Sequence, residues 1–343
     1  MPKGKGLLEA SIWYPVKVPF GGAYVHLLNN VIAAKRAGFK VKVVPGDESI
    51  IEYINRDLEL LGFEGDVKYG RGELTYVRPE SFKMVTKLLN MNIDVLEMNF
   101  LPLWLSGQDV KSLRDLRNYL VSYLIDALNR IIAYKAKRVI TISEISAKLL
   151  WRDALIRAES VPNQPLPNFN KLVSKPQNFT ICFPSSYYYS YQGFDVFVRA
   201  VKELRIEDKV LLIGRAPPGC RLRNVQAKGI RELAKVYSLC SAFVSPHRDT
   251  TPVPFFGSPT KVVDALATNK ALIVSDLPSI RETVEKNLKA IPKDCIRWIR
   301  PGSAKELKEA LELFLKERPD CEYELTEGTI NSFWRRLSAE ARA

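Results

Sequence analysis

No stretch of the 343-residue sequence approaches the eighteen or so uninterrupted apolar residues of a membrane-crossing helix. The longest candidate, VSYLIDALNRIIAY, is broken by Asp126 and Arg130. The N-terminus lacks an apolar signal core and a small-residue cleavage site; MPKGKGLLEASIWYPV passes from a basic start straight into a strand-like segment. A chain made and kept in the cytoplasm is therefore expected. Cysteine is sparse: Cys182, Cys220, Cys240, Cys295 and Cys321 form an odd set with no CxxC pair and no His at ligand spacing. Neither a disulfide framework nor a zinc site is expected, and no metal is assigned. Runs of five like charges are missing, as is an aromatic motif interleaved with basic residues, which argues against a dedicated nucleic-acid binder.

What is present is an apolar content of 46% and a formal charge of +13. The first supplies a full core and, at this length, about two domains. The second suits general solubility, phosphorylated small molecules or an anionic membrane surface. Short apolar runs alternate with helix-period segments through both halves, the pattern of an α/β protein with parallel sheets. GLLEASIWYPV, GAYVHLLNNVIAAKRAG and FKVKVVPG make one βαβ unit. IDVLEMNF, SLRDLRNYLVSYLIDALNRIIAYKAK and RVITIS continue the first half. A second α/β set begins near Phe179. Between the halves SVPNQPLPNFNKLVSKPQN is rich in Pro and Asn and reads as an inter-domain linker, with the boundary near residues 162 to 178. The expected domains are 1–165, 166–325 and a C-terminal helix over 326–343.

In open α/β sheets ligands bind at the carboxyl ends of strands, where loops and helix N-termini offer backbone donors to anions. Two segments suit that position. Pro19-Phe20-Gly21-Gly22 lets a backbone approach a phosphate, and is equally compatible with an ordinary turn. Gly257, Ser258, Pro259 and Thr260 stand just before a helix bearing Lys261 and Asp264. A carboxylate one turn into that helix can accept both hydroxyls of a ribose, though the two side chains could equally pair with each other. His26, beside Asn29 and Asn30, is placed on the polar, solvated face of its helix. His247 follows a strand end and is a candidate ligand contact.

The ordered motifs resemble the retaining glycosyltransferases of family 4, also called glycosyl transferases group 1. The similarity runs through PFGGAYVHLLNNVIAAKRAGFKVKVV, DVLEMNF, AKRVITISEISAKLL and VPNQPLP. It is strongest in QGFDVFVRAVKEL, VLLIG, AKGIRELAKVYSLCSAFVSP and SPTKVVDALATNKALIVSDLPSIRETV. The resemblance implies a GT-B fold, two Rossmann-like doubly wound domains facing across a cleft. It implies sugar transfer from a nucleoside-diphosphate donor to a hydroxyl acceptor with retention, without a metal or other cofactor. The S-P-x-K turn would then hold the distal phosphate, Asp264 the ribose, and Gly229 and Ile230 the base. Trp334 fits a terminal helix that crosses back to the first domain.

The sequence also departs from that family. Tyr187 and Gln192 stand about where an Arg and a Lys usually clamp the diphosphate, each clamp contributing about 3 kcal/mol. Arg215, Arg248 and Lys261 are the available replacements. Phe256 occupies the place of the first of two spaced glutamates; the nearest acid is Asp249. His247, Arg248 and Asp249 are accordingly the catalytic candidates. Tyr187, Tyr188, Tyr189 and Tyr191 cluster where they could stack on a base or sugar or simply cover the sheet end. Asn99, Arg114 and Arg117 are candidates for the acceptor, a glycan, lipid-linked group or protein. The helix around Arg114, Arg117, Tyr119 and Tyr123 is a candidate acceptor or membrane contact, the latter adding peripheral membrane association, and otherwise reads as a core-packed helix with a basic solvent face. The missing clamp motivates an alternative: a GT-B-shaped protein that binds nucleotide or glycan without transfer.

Overall fold

The computed structural model describes residues 8–79, 82–98, 113–185, 190–217, 219–249 and 257–343. The chain divides into two compact units, one of Met1–Pro19, His26–Pro162 and Thr329–Ala343, the other of Phe20–Val25 and Asn163–Gly328. Each is a Rossmann-like parallel sheet flanked by helices.

In the first unit the strands are β1 (Glu9–Tyr14), β2 (Lys40–Pro45), β3 (Lys68–Tyr69), β4 (Leu74–Val77), β5 (Val95–Glu97), β6 (Arg138–Thr141) and β7 (Glu159–Ser160). They lie in the order β3-β2-β1-β4-β5-β6-β7, every pair parallel. Helices α1 (Gly21–Arg36), α2 (Ile50–Leu60), α3 (Phe82–Leu88), α4 (Leu113–Lys135) and α5 (Glu144–Ala154) make the crossovers. Trp13, Val77 and Leu96, level with one another across the sheet, share one core with Ile132 of α4 and Leu150 of α5. Ser143 caps α5 by accepting from the Ser146 amide at 3.2 Å, as a Ser at this position should.

The polar residues of α1 are not solvated. His26, Asn29 and Asn30 are all buried, which corrects the reading of His26 as a surface histidine. The face they form meets the ends of β4 and β5: His26 Nε2 lies 2.9 Å from Glu97 Oε2, and Arg78 Nη1 donates to Glu97 Oε1 at 2.8 Å. The Tyr76 hydroxyl also donates to Glu97. Helical period alone could not distinguish a face wetted by solvent from one matched to a buried carboxylate.

The last helix, α11 (Thr329–Arg342), belongs to the first unit. Trp334 is fully buried, stacked on Tyr76 at 5.5 Å and edge-on to Phe39 at 5.6 Å. Its indole N–H donates to Asn30 Oδ1 at 3.0 Å, which satisfies the one polar atom such a burial strands. Asn30→Leu is expected to leave that N–H orphaned and to lower stability by about 1–3 kcal/mol in chemical denaturation of the full chain.

The second unit repeats the plan with β8 (Ile181–Pro184), β9 (Val210–Ile213), β10 (Asn224–Val225), β11 (Ala242–Ser245), β12 (Ala271–Ser275) and β13 (Ile296–Ile299), in the order β10-β9-β8-β11-β12-β13. Its helices are α6 (Phe194–Leu204), α7 (Gly229–Tyr237), α8 (Thr260–Ala267), α9 (Pro278–Asn287) and α10 (Ala304–Glu317). The central strands are buried along their whole length, as ICFP, AFVS and ALIVS require of a parallel sheet covered on both faces. Strand order reverses between β8 and β11, and this switch point is where such a sheet opens to ligands.

The division between the units falls at Pro162–Asn163, within the expected boundary, and the Pro/Asn-rich stretch after it packs onto the second unit. Asn163, Gln164, Leu166 and Phe169 are buried, the Asn163 amide donates to Ser258 Oγ at 3.0 Å, and Asn287 Nδ2 donates to the Asn163 carbonyl at 2.8 Å. The cysteines do pair, as Cys182–Cys240 and Cys295–Cys321, each with Cα atoms 5.7 Å apart; Cys220 is free. Their separations of 58 and 26 residues conceal what strand order makes close. Cys182 on β8 stands beside Phe243 of β11, and Cys240 lies just before that strand.

Candidate functional site

The carboxyl ends of β8, β9 and β10 and the helices α7 and α8 enclose a cavity of about 380 Å³ within the second unit. The turn Phe20-Gly21-Gly22, which groups with this unit, closes one side. Gly22 is required there: a Cβ would stand 2.5 Å from Thr260 Oγ1. Gly193, at the start of α6, is required for a similar reason. Its φ of +68° is left-handed, and a Cβ would collide with the Pro246 carbonyl at the end of β11.

The floor is formed by α8. Pro259 is its N-cap, and the helix begins at Thr260. A helix start leaves its first amides outside the internal ladder, so those of Thr260 and Lys261 are suited to an anion. Lys261 and Asp264 follow on the same helix, three residues apart and both buried. Asp264 Oδ2 accepts from the Tyr237 hydroxyl at 2.8 Å. Burial pushes the Asp264 carboxyl up to about 7, against the lowering effect of the Tyr237 bond. Tyr237 is itself raised well above the usual phenol range, by burial and then by the Asp264 charge.

Lys261 Nζ lies 4.8 Å from the centre of the Phe183 ring and has no hydrogen-bond partner among the described residues. Burial lowers its ammonium to about 7. A buried amine without an acceptor is costly, and the usual resolution is an anion bound where the amine points. Arg215 and Lys228, both exposed, line the same cavity, with Gln192 beside them accepting from Ser185 Oγ at 2.6 Å.

The structure thus brings together Gly21, Gly22, Gln192, Arg215, Thr260, Lys261 and Asp264. Other expected site residues lie elsewhere. Ser258 is engaged with Asn163 and accepts from Thr283 Oγ1 at 2.9 Å, so it braces the segment before β8. Gly229 opens α7 with φ +72° and Ile230 is core; the preceding residue, Lys228, is the one that lines the cavity. Gly257 is not among the lining residues.

His247 is buried, its Nδ1 3.1 Å from Ser245 Oγ and its ring stacked 6.2 Å from Tyr191. Burial, reinforced by the Lys261 charge, lowers His247 to about 3, so it is neutral at physiological pH. Arg248 pairs with Asp195, and Asp249 is exposed. These three catalytic candidates do not converge on the cavity. Tyr187, Tyr188, Tyr189, Phe256 and Asn99 lie outside the described residues, as do the side chains of Arg114 and Arg117. Among the described residues no group of three or more His, Cys, Asp or Glu side chains is placed to hold a metal.

Residues 178–317, which include most of this cavity, match the family model described as Glycosyl transferases group 1. No curated protein matches the chain by sequence. Among solved structures the chain is similar to sucrose-phosphate synthase from Thermosynechococcus elongatus, with 13% identity, a TM-score of 0.59, and coverage of 97% of this chain and 94% of that one. It is also similar to WaaG, a glycosyltransferase involved in lipopolysaccharide biosynthesis, at 10% identity and a TM-score of 0.57, covering 96% and 94%. Anabaena Alr3699/HepE, in complex with UDP and glucose, gives 13% identity and a TM-score of 0.51 over 97% and 95%. The fold is GT-B, and the family match within it supports a GT-B glycosyltransferase.

Proposed function

We propose that the chain moves a sugar from a nucleoside-diphosphate donor, bound in the second unit's cavity, to a hydroxyl of a glycan, lipid-linked or protein acceptor, with retention of configuration. The observation that carries this reading is Lys261, a buried amine without an acceptor among the described residues, three residues from the buried Asp264 at the start of one helix. A nucleoside diphosphate has complementary groups at that spacing. The ribose diol donates to Asp264, whose orientation Tyr237 fixes, and the diphosphate meets Lys261 and the first amides of α8. Arg215 and Lys228 extend the positive charge toward the rim. The reading is strengthened by the family match, and by a structural neighbour whose complex holds UDP and glucose.

In this reading the protein positions donor and acceptor and stabilises the departing diphosphate with side-chain cations, without a metal. Chelation with EDTA should leave turnover unchanged. The anomeric configuration of the product, read by proton NMR, tests retention.

A screen of nucleoside diphosphates by thermal shift tests the donor site. One nucleotide at about a hundred times its Kd should stabilise the chain by about 2.7 kcal/mol, and Asp264→Asn should abolish that gain. The same variant should raise the melting temperature of the ligand-free chain at pH 8. Folding holds Asp264 protonated up to about pH 7, so above its unfolded value ionisation costs stability, and a neutral isostere removes the cost. Near pH 4 the gain should vanish.

A binding protein without transfer is the second reading, favoured by the displacement of His247, Arg248 and Asp249 from the cavity. Donor hydrolysis separates the two: slow release of free sugar supports a transferase, and tight nucleotide binding with no release supports a binder.

A further inference from the structure

Exposed large apolar side chains concentrate in one place. Of the twelve among the described residues, eight lie on α4 and at the end of α5, both in the first unit. On α4 the solvent face carries Leu120, Tyr123, Leu124, Ile131 and Tyr134, spaced by three, four or seven residues so that they form one stripe. The opposite face of the same helix, through Ile125, Leu128 and Ile132, packs into the core. A helix that is apolar on both faces is expected to be covered on both.

Trp151 and Leu155 of the neighbouring segment extend the patch, and the Tyr134 hydroxyl donates to the Ala154 carbonyl, which joins the two parts. Leu155 is 69% exposed and occupies the left-handed C-cap position of α5, with φ +53°. Gly or Asn satisfies that conformation at lower cost, so a solvent-facing leucine there is held at the expense of local stability.

The stretch that carries the patch is basic in sequence: residues 113–158 contain nine Lys or Arg against four Asp or Glu, of which Lys137 and Arg138 pair with Asp94 and Glu340 outside it. Two of those acids are neutralised within the patch, Asp126 by Arg130 at 3.0 Å and Asp153 by Arg152 at 2.5 Å. Lys148 is exposed, and Arg157 lies over the Trp151 ring at 5.4 Å.

We propose that this face docks peripherally on an anionic lipid surface. The apolar stripe would sit among the acyl chains at the headgroup boundary, Tyr123, Tyr134 and Trp151 at the interface, and the basic residues of the stretch against lipid phosphates. Charge decides against a second copy as occupant: a two-fold contact would set the same basic stretch against itself, on chains already carrying +13. The aliphatic stripe decides against nucleic acid, which offers charged phosphates but no apolar layer for Leu124 and Ile131. Among the described residues no helix is long and apolar enough to cross a membrane, so the contact is lateral.

Vesicle flotation with the full chain tests this. Vesicles of phosphatidylcholine with about 30% phosphatidylglycerol should bind at least about tenfold more tightly than pure phosphatidylcholine, and salt at about 0.5 M should weaken the binding. Leu124→Glu/Ile131→Glu should remove the binding. Leu155→Gly should weaken it while leaving the unfolding temperature equal or higher, which separates lipid contact from folding. Three results overturn the proposal: no preference for anionic vesicles, equal binding by the double variant, or a wild-type dimer in sedimentation that the double variant converts to monomer.

Discussion

Lys261→Met is expected to reduce sugar transfer by about 10²–10³-fold, with a fold-stability change small beside that loss. The amine is buried, has no hydrogen-bond acceptor among the described residues, and lies over the Phe183 ring. Removing it deletes no structural bond, and methionine fills the same volume without the desolvated charge. What is lost is the cation at the place assigned to the leaving diphosphate.

The protonation state of Lys261 supplies an independent test. Without ligand its value near 7 leaves it mostly neutral at pH 8. A bound diphosphate favours the ammonium, so binding at pH 8 should take up a proton, read as a dependence of calorimetric heat on buffer ionisation enthalpy. Asp264 runs the other way: at pH 6 it is mostly protonated, ribose hydroxyls favour its ionised form, and binding there should release a proton. Affinity should accordingly fall as pH rises above about 7 in the wild type. In Lys261→Met the uptake at pH 8 should disappear and the release at pH 6 should remain. Unchanged uptake at pH 8 in the variant would remove Lys261 from the phosphate site.

The parts of the site that were legible in the sequence share one property, that a single local element presents them. Thr260, Lys261 and Asp264 are on one helix behind a Gly-Ser-Pro turn, so spacing alone put them on one element, and all three line the cavity. The alternation of strands and helices likewise determined both parallel sheets, because buried runs such as ALIVS leave few other options. What was hidden depended on elements distant in the chain. Tyr237 reaches Asp264 across 27 residues, and Lys228 enters the cavity because α7 begins one residue later. His247 follows a strand end as its sequence position indicates, but its stack on Tyr191 and its bond to Ser245 depend on the fold and were not readable there. The cysteine pairs were hidden by strand order, and His26 by a carboxylate 71 residues away.

That carboxylate is the basis of the second large effect. Glu97→Gln is expected to destabilise the first unit by roughly 3–5 kcal/mol, because it leaves the Arg78 guanidinium buried beside a neutral group. Burial by itself would raise Glu97, but attraction to His26 and Arg78 and hydrogen bonds from His26 and Tyr76 hold it at about 2. Its folded value therefore lies below the unfolded one. The corresponding stability is present above about pH 4.5 and drains away as pH falls toward 2, amounting to about 3 kcal/mol in the wild type. Hydrogen exchange over β1, β4 and β5 measures the effect where it arises. Protection there should fall steeply between pH 4.5 and 2 in the wild type, after correction for the intrinsic exchange rate, and should be low and nearly flat in Glu97→Gln. Removing both charges distinguishes a strong pair from a costly one. Arg78→Met/Glu97→Gln removes the carboxylate and the guanidinium together, and part of the lost protection should return, since the single variant's deficit is mostly the stranded guanidinium. If the double variant is instead as unprotected as the sum of the two single ones, the coupling between Arg78 and Glu97 is zero, and a stranded guanidinium is not the source of the single variant's deficit.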